Sequence, residues 1–485
     1  MRFYVVLRYT SFTLLLSALF LFISGAIAQS AGSSDALPLL YSAGFATLLA
    51  VFPLIFIPAF PKISNKEGTL IVVLSWVLAC IMGAIPYILY GTPFTVTNAF
   101  FESVSGFTTT GSTILQDIEA LPAGLLFWRA STHWIGGIGI VIFVLSLLPF
   151  LGFSEVVLFR SEVSSLARQN LRIRARYAMR VLVGIYVGLT ILEFLSLILA
   201  GMSGYDAICH AFATIATGGF STHNASIAYF DSIWIECIIM FFMILSGMPF
   251  ILLFALVAKG DFKSLRKASV VRFYLITMAL GIFITLFDLM REGGTSLGSA
   301  LRFASFNVLS VGTSTGFANA DTAIWPHAAR MLLLLFTLQC ACAGSTSGGI
   351  KVDRVLLSIK SVIRRTKQIM RPRAVVPLRF NGEVVKDRFG DHAVIYILLY
   401  IGIVTAGALS LSLLGTDLTE AFSGAAAAMG NVGPGLGGVG SLGNYAHIPG
   451  AGKWILSGLM LLGRLEVFAL IIVFTPVQWT SLKSY

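Results

Sequence analysis

Residues 108–112 read Thr108-Thr109-Thr110-Gly111-Ser112, a stretch too polar to cross a bilayer that sits between two apolar runs able to do so. It recurs in altered form as Ala216-Thr-Gly-Gly-Phe220, Thr313-Ser-Thr-Gly-Phe317 and Gly430-Asn-Val-Gly-Pro434. Counting upstream fixes the register. Aligned on Gly111, Gly219, Gly316 and Gly433, each copy has an alanine twelve residues earlier (Ala99, Ala207, Ala304, Ala421) and a small polar residue two earlier (Thr109, Thr217, Ser314, Asn431). One such match is the kind that close-packed membrane helices produce by chance through small residues. Four in one register, spaced by about 100 residues, mark an internal repeat and suggest four walls around one axis.

The rest of the chain supports a membrane setting. Of 485 residues, 57% are hydrophobic and 11% charged, against about 25% charged in ordinary soluble domains. Apolar runs of about 20 residues, enough to cross about 30 Å of hydrocarbon, recur throughout. Backbone polar groups in lipid need internal partners, so the expected fold is an all-α polytopic membrane protein. The five cysteines (Cys80, Cys209, Cys237, Cys340, Cys342) have no metal or disulfide spacing and read as small core residues. A net charge of +11 would suit nucleic acid in a soluble protein. Here it reflects basic cytoplasmic loops, and no nucleic-acid partner is expected.

Residues 1–66 hold two N-terminal spans, at about 11–28 and 36–60. Arg2, Arg8 and Ala26-Ile-Ala28 also fit a signal peptide; the apolar run is long for that, and a retained helix is the expectation. Four units follow, at 67–152, 153–258, 259–365 and 366–485. Each has a span, a polar re-entry (92–122, 202–231, 291–327, 415–453) and a second span, giving ten membrane helices in all. Residues 153–180 carry six arginines and 351–388 eleven Lys or Arg, whereas the first two re-entries carry none. The basic loops are therefore expected in the cytoplasm with both termini, and the re-entries outside.

Between each alanine and its loop lie about ten mostly apolar residues, a half-helix of about 15 Å rather than a span. Such a helix, descending from outside, aims its partially negative C-terminal end at the membrane centre, which favours a cation. The glycine loop beyond it permits dihedrals that turn carbonyls toward one axis. Rings of four carbonyls can replace the hydration shell of K⁺. The expected ion-binding residues are Thr109, Thr110 and Gly111; Thr217, Gly218 and Gly219; Ser314, Thr315 and Gly316; and Asn431, Val432 and Gly433. None is acidic, which argues against a carboxylate filter for divalent cations.

The span expected at 328–363 is interrupted by Ala343-Gly344-Ser345-Thr346-Ser347-Gly348-Gly349-Ile350. Polar flexible backbone at that depth must line a cavity, as a movable plug or as a static kink. Arg464, beside Glu466 in the last span, is a functional candidate by cost alone. It is expected to face the pore, the alternative being a structural pairing with Glu466 or with carbonyls. Glu102, His210, Asn307 and Gly424 occupy matching positions in the half-helices and are expected to brace the loops from behind. Arg129 and His133 read as interfacial anchors. Gly435-Leu-Gly-Gly-Val-Gly440 matches a dinucleotide-binding pattern by letter, but it follows a half-helix, with no βαβ unit around it. No nucleophile–base spacing points to an enzyme.

These residues resemble the Trk/Ktr/HKT superfamily of K⁺ uptake proteins, in its bacterial TrkH type. The likeness rests on Phe101-Glu-Ser-Val-Ser-Gly-Phe-Thr-Thr-Thr-Gly111, Trp134-Ile-Gly-Gly-Ile-Gly139, Ala216-Thr-Gly-Gly-Phe-Ser-Thr-His223, Ala343-Gly-Ser-Thr-Ser-Gly-Gly-Ile-Lys351 and Gly463-Arg464-Leu-Glu466. The two extra N-terminal spans favour the TrkH type over the shorter KtrB type. The resemblance implies a homodimer in the bacterial cytoplasmic (inner) membrane, each subunit with its own K⁺ pore and no cofactor. It implies that 343–350 acts as an intramembrane gate and that Arg464 is the family's pore-facing arginine. It also implies regulation by a cytoplasmic ring of nucleotide-binding TrkA-type (RCK/KTN) subunits, with 153–180 and 351–388 as candidate docking faces. Asn431-Val-Gly-Pro434 departs from the Thr-x-Gly form, which makes the fourfold symmetry approximate. Symport of K⁺ with H⁺ or Na⁺ through the same pore is the alternative, and no buried carboxylate pair proposes a coupling site.

Overall fold

The computed structural model describes residues 2–60, 64–147, 171–261, 263, 267–381 and 383–467. Among them lie sixteen α-helices and one two-stranded hairpin. The expected arginines between 153 and 170, and the last span beyond 467, lie outside the described residues.

The N-terminal pair is α1 (Phe3–Ser30) and α2 (Ala36–Phe56). The hydrophobic effect does not drive helices together in lipid, so close packing of small residues must. Ala36, Ala43, Ala46 and Ala50 form that buried stripe on α2. Asp35, in the turn between the two, accepts a 2.8 Å bond from the Leu125 amide, 90 residues along the chain. Arg2 pairs with Glu67 at 2.9 Å, and Glu67 completes a capping box with Ser64 at the start of the next helix. The pair is thus stitched to the first unit at both ends.

A three-part order then recurs four times: α3 (Asn65–Tyr90), α4 (Val96–Phe107), α5 (Ala123–Leu147); α6 (Leu171–Leu199), α7 (Gly204–Ile215), α8 (Ile233–Ser246) with α9 (Phe250–Lys259); α10 (Ser269–Arg291), α11 (Leu297–Gly312), α12 (His327–Gln339) with α13 (Val352–Met370); and α14 (Asp387–Leu413), α15 (Leu418–Gly430), α16 (Gly450–Arg464). The short middle helices α4, α7, α11 and α15 all start at a capping side chain: Thr95, Ser203, Ser296 and Asp417. Each accepts a backbone N–H that the first turn leaves without an intrahelical partner.

Among the described residues six helices, α1, α2, α3, α6, α10 and α14, are long and apolar enough to cross a membrane, and α8 with α9 makes a seventh if counted as one bent span. The chain is a multi-pass membrane protein. The expected plan of two N-terminal helices followed by four helix, half-helix, helix units is found, with the second span of the second and third units interrupted. The span expected at 232–258 turns by 105° between Ser246 and Phe250, where Gly247-Met248-Pro249 intervenes and proline supplies no N–H to continue the ladder. The third unit's break runs from Cys340 to Lys351, wider than 343–350, and both ends have positive φ (55° and 74°). Part of the basic stretch 351–388 is a structured hairpin, β1 (Leu378–Phe380) pairing antiparallel with β2 (Glu383–Val385). Its signal, Asn381-Gly382 between two short β-prone runs, was in the sequence.

Candidate functional site

The four glycine loops end the four middle helices in one geometry. In the first, the Thr110 amide donates to the Ser105 carbonyl and the Thr109 amide to the Gly106 carbonyl. That pair of bonds is the Schellman motif, which closes a helix through one left-handed residue. The same pairs recur as Gly218 to Ala213 with Thr217 to Thr214, Thr315 to Ser310 with Ser314 to Val311, and Val432 to Ala427 with Asn431 to Ala428. The left-handed residue is Thr109 (φ 51°), Thr217 (54°), Ser314 (59°) or Asn431 (52°). For β-branched threonine that conformation is strained. Two residues on, Gly111, Gly219, Gly316 and Gly433 return to positive φ, between 79° and 94°. Alternation of this kind lets successive carbonyls face one side of the chain.

The loops also close a ring. A Cβ on Gly111 would strike the Gly218 carbonyl oxygen, one on Gly219 the Thr315 oxygen, one on Gly316 the Val432 oxygen, and one on Gly433 the Thr110 oxygen, all well inside 3.0 Å. Each unit's glycine therefore abuts the carbonyl of the next unit, and the fourth abuts the first. All twelve loop residues singled out from the sequence come together here, and the departure at Asn431 keeps the backbone geometry of the others. Asn431 Nδ2 also donates to Thr110 Oγ1 (3.1 Å) and to the Met460 carbonyl (2.9 Å), tying the fourth unit to the first.

The positions nine residues before each glycine hold the returning chain. Glu102 accepts from the Ile114 amide (3.1 Å) and the Thr113 hydroxyl (2.9 Å). His210 Nε2 bonds Ser221 Oγ at 3.0 Å. Asn307 Nδ2 donates to Asn319 Oδ1 at 2.7 Å. At Gly424 no side chain is available; Ser423 accepts from the Leu436 amide (2.8 Å), and the Tyr445 hydroxyl donates to the Gly433 carbonyl (2.8 Å).

Arg129 and His133 are not interfacial anchors. Arg129 is fully buried and pairs with Glu102 at 2.8 Å. Its guanidinium lies 4.0 Å from the Phe220 ring centroid, and the His133 ring stacks on the same Phe220 ring at 4.1 Å. A helix of the first unit thereby clamps the residue that follows Gly219 in the second. An arginine inside an apolar run is costly enough to flag from sequence; Arg129 was misplaced because its run begins near the outer end of a span.

The interrupted stretch packs against the ring from the side of the helix C-termini. Ser314 Oγ donates to Ser347 Oγ (2.9 Å) and accepts from the Gly348 amide (3.1 Å). Thr346 Oγ1 donates to the Ile215 carbonyl at the end of α7 (3.1 Å). A Cβ on Gly348 would collide with Gly430 and Asn431. Ser345 Oγ turns back onto the Cys342 carbonyl (2.6 Å). The Phe250 amide donates to the Gly344 carbonyl (3.0 Å) and the Cys342 amide to the Gly247 carbonyl (3.2 Å), so the bend in the second unit seats the break in the third. Ala343 donates to Asp353 (2.6 Å). Ile350 and Lys351 close the loop onto the Leu338 and Gln339 carbonyls, while Gly349, at φ 71°, fits against Cys340.

Arg464 ends α16 and is buried. It donates to the Thr346 carbonyl at 2.6 Å and to the Gly136 carbonyl at 3.5 Å. Pairing with Glu466 is excluded, because Glu466 bonds Lys351 and Arg354 instead. Among the described residues no group of three or more His, Cys, Asp or Glu is placed to hold a metal ion.

Comparison with known proteins agrees with this architecture. Residues 59–481 match the family model described as TrkH, cation transport protein. The chain is 38% identical over 429 residues to the Trk system potassium uptake protein TrkH of Salmonella typhimurium, covering 86% of this chain and 87% of that one. It is 33% identical over 423 residues to the Trk system potassium uptake protein TrkG of Escherichia coli, with 87% of each covered. The crystal structure of the potassium transporter TrkH from Vibrio parahaemolyticus superposes with a TM-score of 0.91 at 32% identity, covering 99% of this chain and 100% of that one. The chain belongs to the TrkH family of cation transport proteins.

Proposed function

We propose that the protein takes up K⁺ through the four-loop ring, with 343–350 as the gate and Arg464 as its catch. The observation that carries this is the closure of the ring, in which each glycine abuts the next unit's carbonyl. Backbone oxygens at Thr110, Gly218, Thr315 and Val432 then supply a level of ligands for a dehydrated monovalent cation. Thr109, Thr217, Ser314 and Asn431 set the inner edge of the filter. The relatives' printed names, Trk system potassium uptake proteins, support K⁺ as the ion.

The gate reading rests on contact. Residues 346–348 touch the second, third and fourth units directly, and Arg464 adds a bond to Gly136 of the first. A loop seated on three of the walls, and tied through Arg464 to the fourth, obstructs the axis until it moves. In this reading the four units at 67–152, 153–258, 259–365 and 366–485 surround one pore. The protein sits as a homodimer in the lipid of the bacterial cytoplasmic membrane, with both termini and the basic faces 153–180 and 351–388 inside. A nucleotide-binding TrkA-type ring docks there, and no catalytic residue, cofactor or nucleic acid takes part. K⁺ and Na⁺ fluxes in liposomes that hold this protein alone, with and without Gly111→Ser, test the assignment.

A further inference from the structure

Glu193 lies within the apolar span Met179–Leu199 of α6 and is fully buried. Neither carboxyl oxygen has a hydrogen-bond partner. Its place is specific. Tyr186, Thr190, Glu193 and Leu197 form one buried stripe at helical spacing. Tyr186 donates to the Trp134 carbonyl (3.0 Å), and Trp134 Nε1 donates to Thr190 (3.2 Å), so the stripe packs on α5 and α7. Thr214 on α7 presents the hydroxyl that bears on Glu193. Thr214 is also the residue whose carbonyl receives the Thr217 amide in the second loop's Schellman closure.

The titratable and charged groups on the elements around Glu193 are engaged elsewhere or do not reach it. On α5, Arg129 holds Glu102, and His133 stacks on Phe220 with its Nε2 also unpaired. On α7, His210 bonds the Asp206 carbonyl and Ser221, Asp206 binds the Thr222 hydroxyl, Tyr205 donates to the Ala123 carbonyl, and Cys209 is a buried thiol. On α8, Glu236 pairs with Arg302, and Cys237 is exposed. On α6 itself, Tyr186 is bonded as above and Arg180 is exposed at the helix start.

An ionised carboxylate cannot remain in such a place without a counter-charge or solvent. A dehydrated K⁺ or Na⁺ needs several oxygen ligands. Among the described residues, the side-chain oxygen that bears on Glu193 is the Thr214 hydroxyl, which itself donates to the His210 carbonyl (2.8 Å), and one hydroxyl is too few for such a cation. A proton needs none. We propose that Glu193 is a proton-binding site within the membrane, and that release of its proton disturbs the Thr214–Thr217 closure and slows K⁺ passage. The link to flux rests on the filter reading; the protonation itself does not.

Two measurements on the full-length protein separate these. Infrared difference spectroscopy at neutral pH should show the carbonyl band of a buried carboxylic acid that Glu193→Gln lacks; absence of that difference overturns the site whatever the pore does. In liposomes, K⁺ flux through the native protein should fall as pH rises, approaching about tenfold per pH unit, the limit for one required proton, while Glu193→Gln stays flat across the same range. A native profile that is flat, or a Glu193→Gln profile that follows the native one, overturns the coupling. If Glu193→Gln does not fold, Glu193→Met, neutral and apolar, is measured in its place; a neutral pocket accepts it, and misfolding of both contradicts the proposal.

Discussion

The guanidinium of Arg464 donates a 2.6 Å hydrogen bond to the carbonyl of Thr346, 118 residues earlier in the chain. Both residues are buried, and the bond joins the end of the last described helix to the middle of the interrupted stretch. A charge-assisted bond of this kind is worth about 1.5–3 kcal/mol. Arg464→Ala should therefore lower the ratio of closed to open loop by about 10- to 150-fold and raise K⁺ flux in reconstituted vesicles. Arg464→Lys, which keeps the charge but loses the fork, should fall between. Unchanged or reduced flux in well-folded Arg464→Ala removes the catch.

The Ser314–Ser347 contact makes a second, weaker hold on the same loop. Ser347→Ala removes two neutral bonds, the one from Ser314 and the one from the Ala341 amide (3.2 Å), together about 1–3 kcal/mol, and should raise flux by about 5- to 150-fold. Combined with Arg464→Ala the effects should add if the two contacts act separately on one closed state. A double-mutant cycle reads this directly.

Glu102 and Arg129 are mutually dependent. Breaking a buried ion pair from one side leaves an uncompensated charge and costs about 3–5 kcal/mol. Glu102→Gln should markedly lower the thermal unfolding temperature. The double variant Glu102→Gln with Arg129→Met, which leaves no charge, should recover much of the loss. If the double variant is as unstable as the sum of the single ones, the pair is not the unit described.

The sequence carried the fourfold register because the geometry needs one residue type at each of two positions. Glycine at the second positive φ and a short polar residue at the first are both visible as letters. The alanine twelve residues before each glycine is equally visible, and each is fully buried. What stayed hidden depends on contacts between units. Nothing near Arg129 in sequence names Glu102 or Phe220. The alignment that paired Glu102 with His210 and Asn307 pointed to bracing of the loops, but not to the residues of the returning chain that each one holds. Ser347 looked like one polar residue among several until Ser314 lay against it. The break at Gly247–Pro249 was readable from its proline, but the apolar residues on both sides made a straight span the simpler expectation.

The central claim is that the four loops form one K⁺-selective ring, and Gly111 tests it most directly because any Cβ there meets the Gly218 carbonyl. The measurement is the ratio of K⁺ to Na⁺ flux in liposomes containing Gly111→Ser, with Gly188→Ser as control, since a Cβ at Gly188 meets nothing within 4 Å. The ring predicts that Gly111→Ser loses discrimination by about tenfold, equivalent to about 1.4 kcal/mol, or loses K⁺ flux, while Gly188→Ser keeps both. Folded Gly111→Ser with K⁺ and Na⁺ fluxes equal to those of the native protein would contradict it.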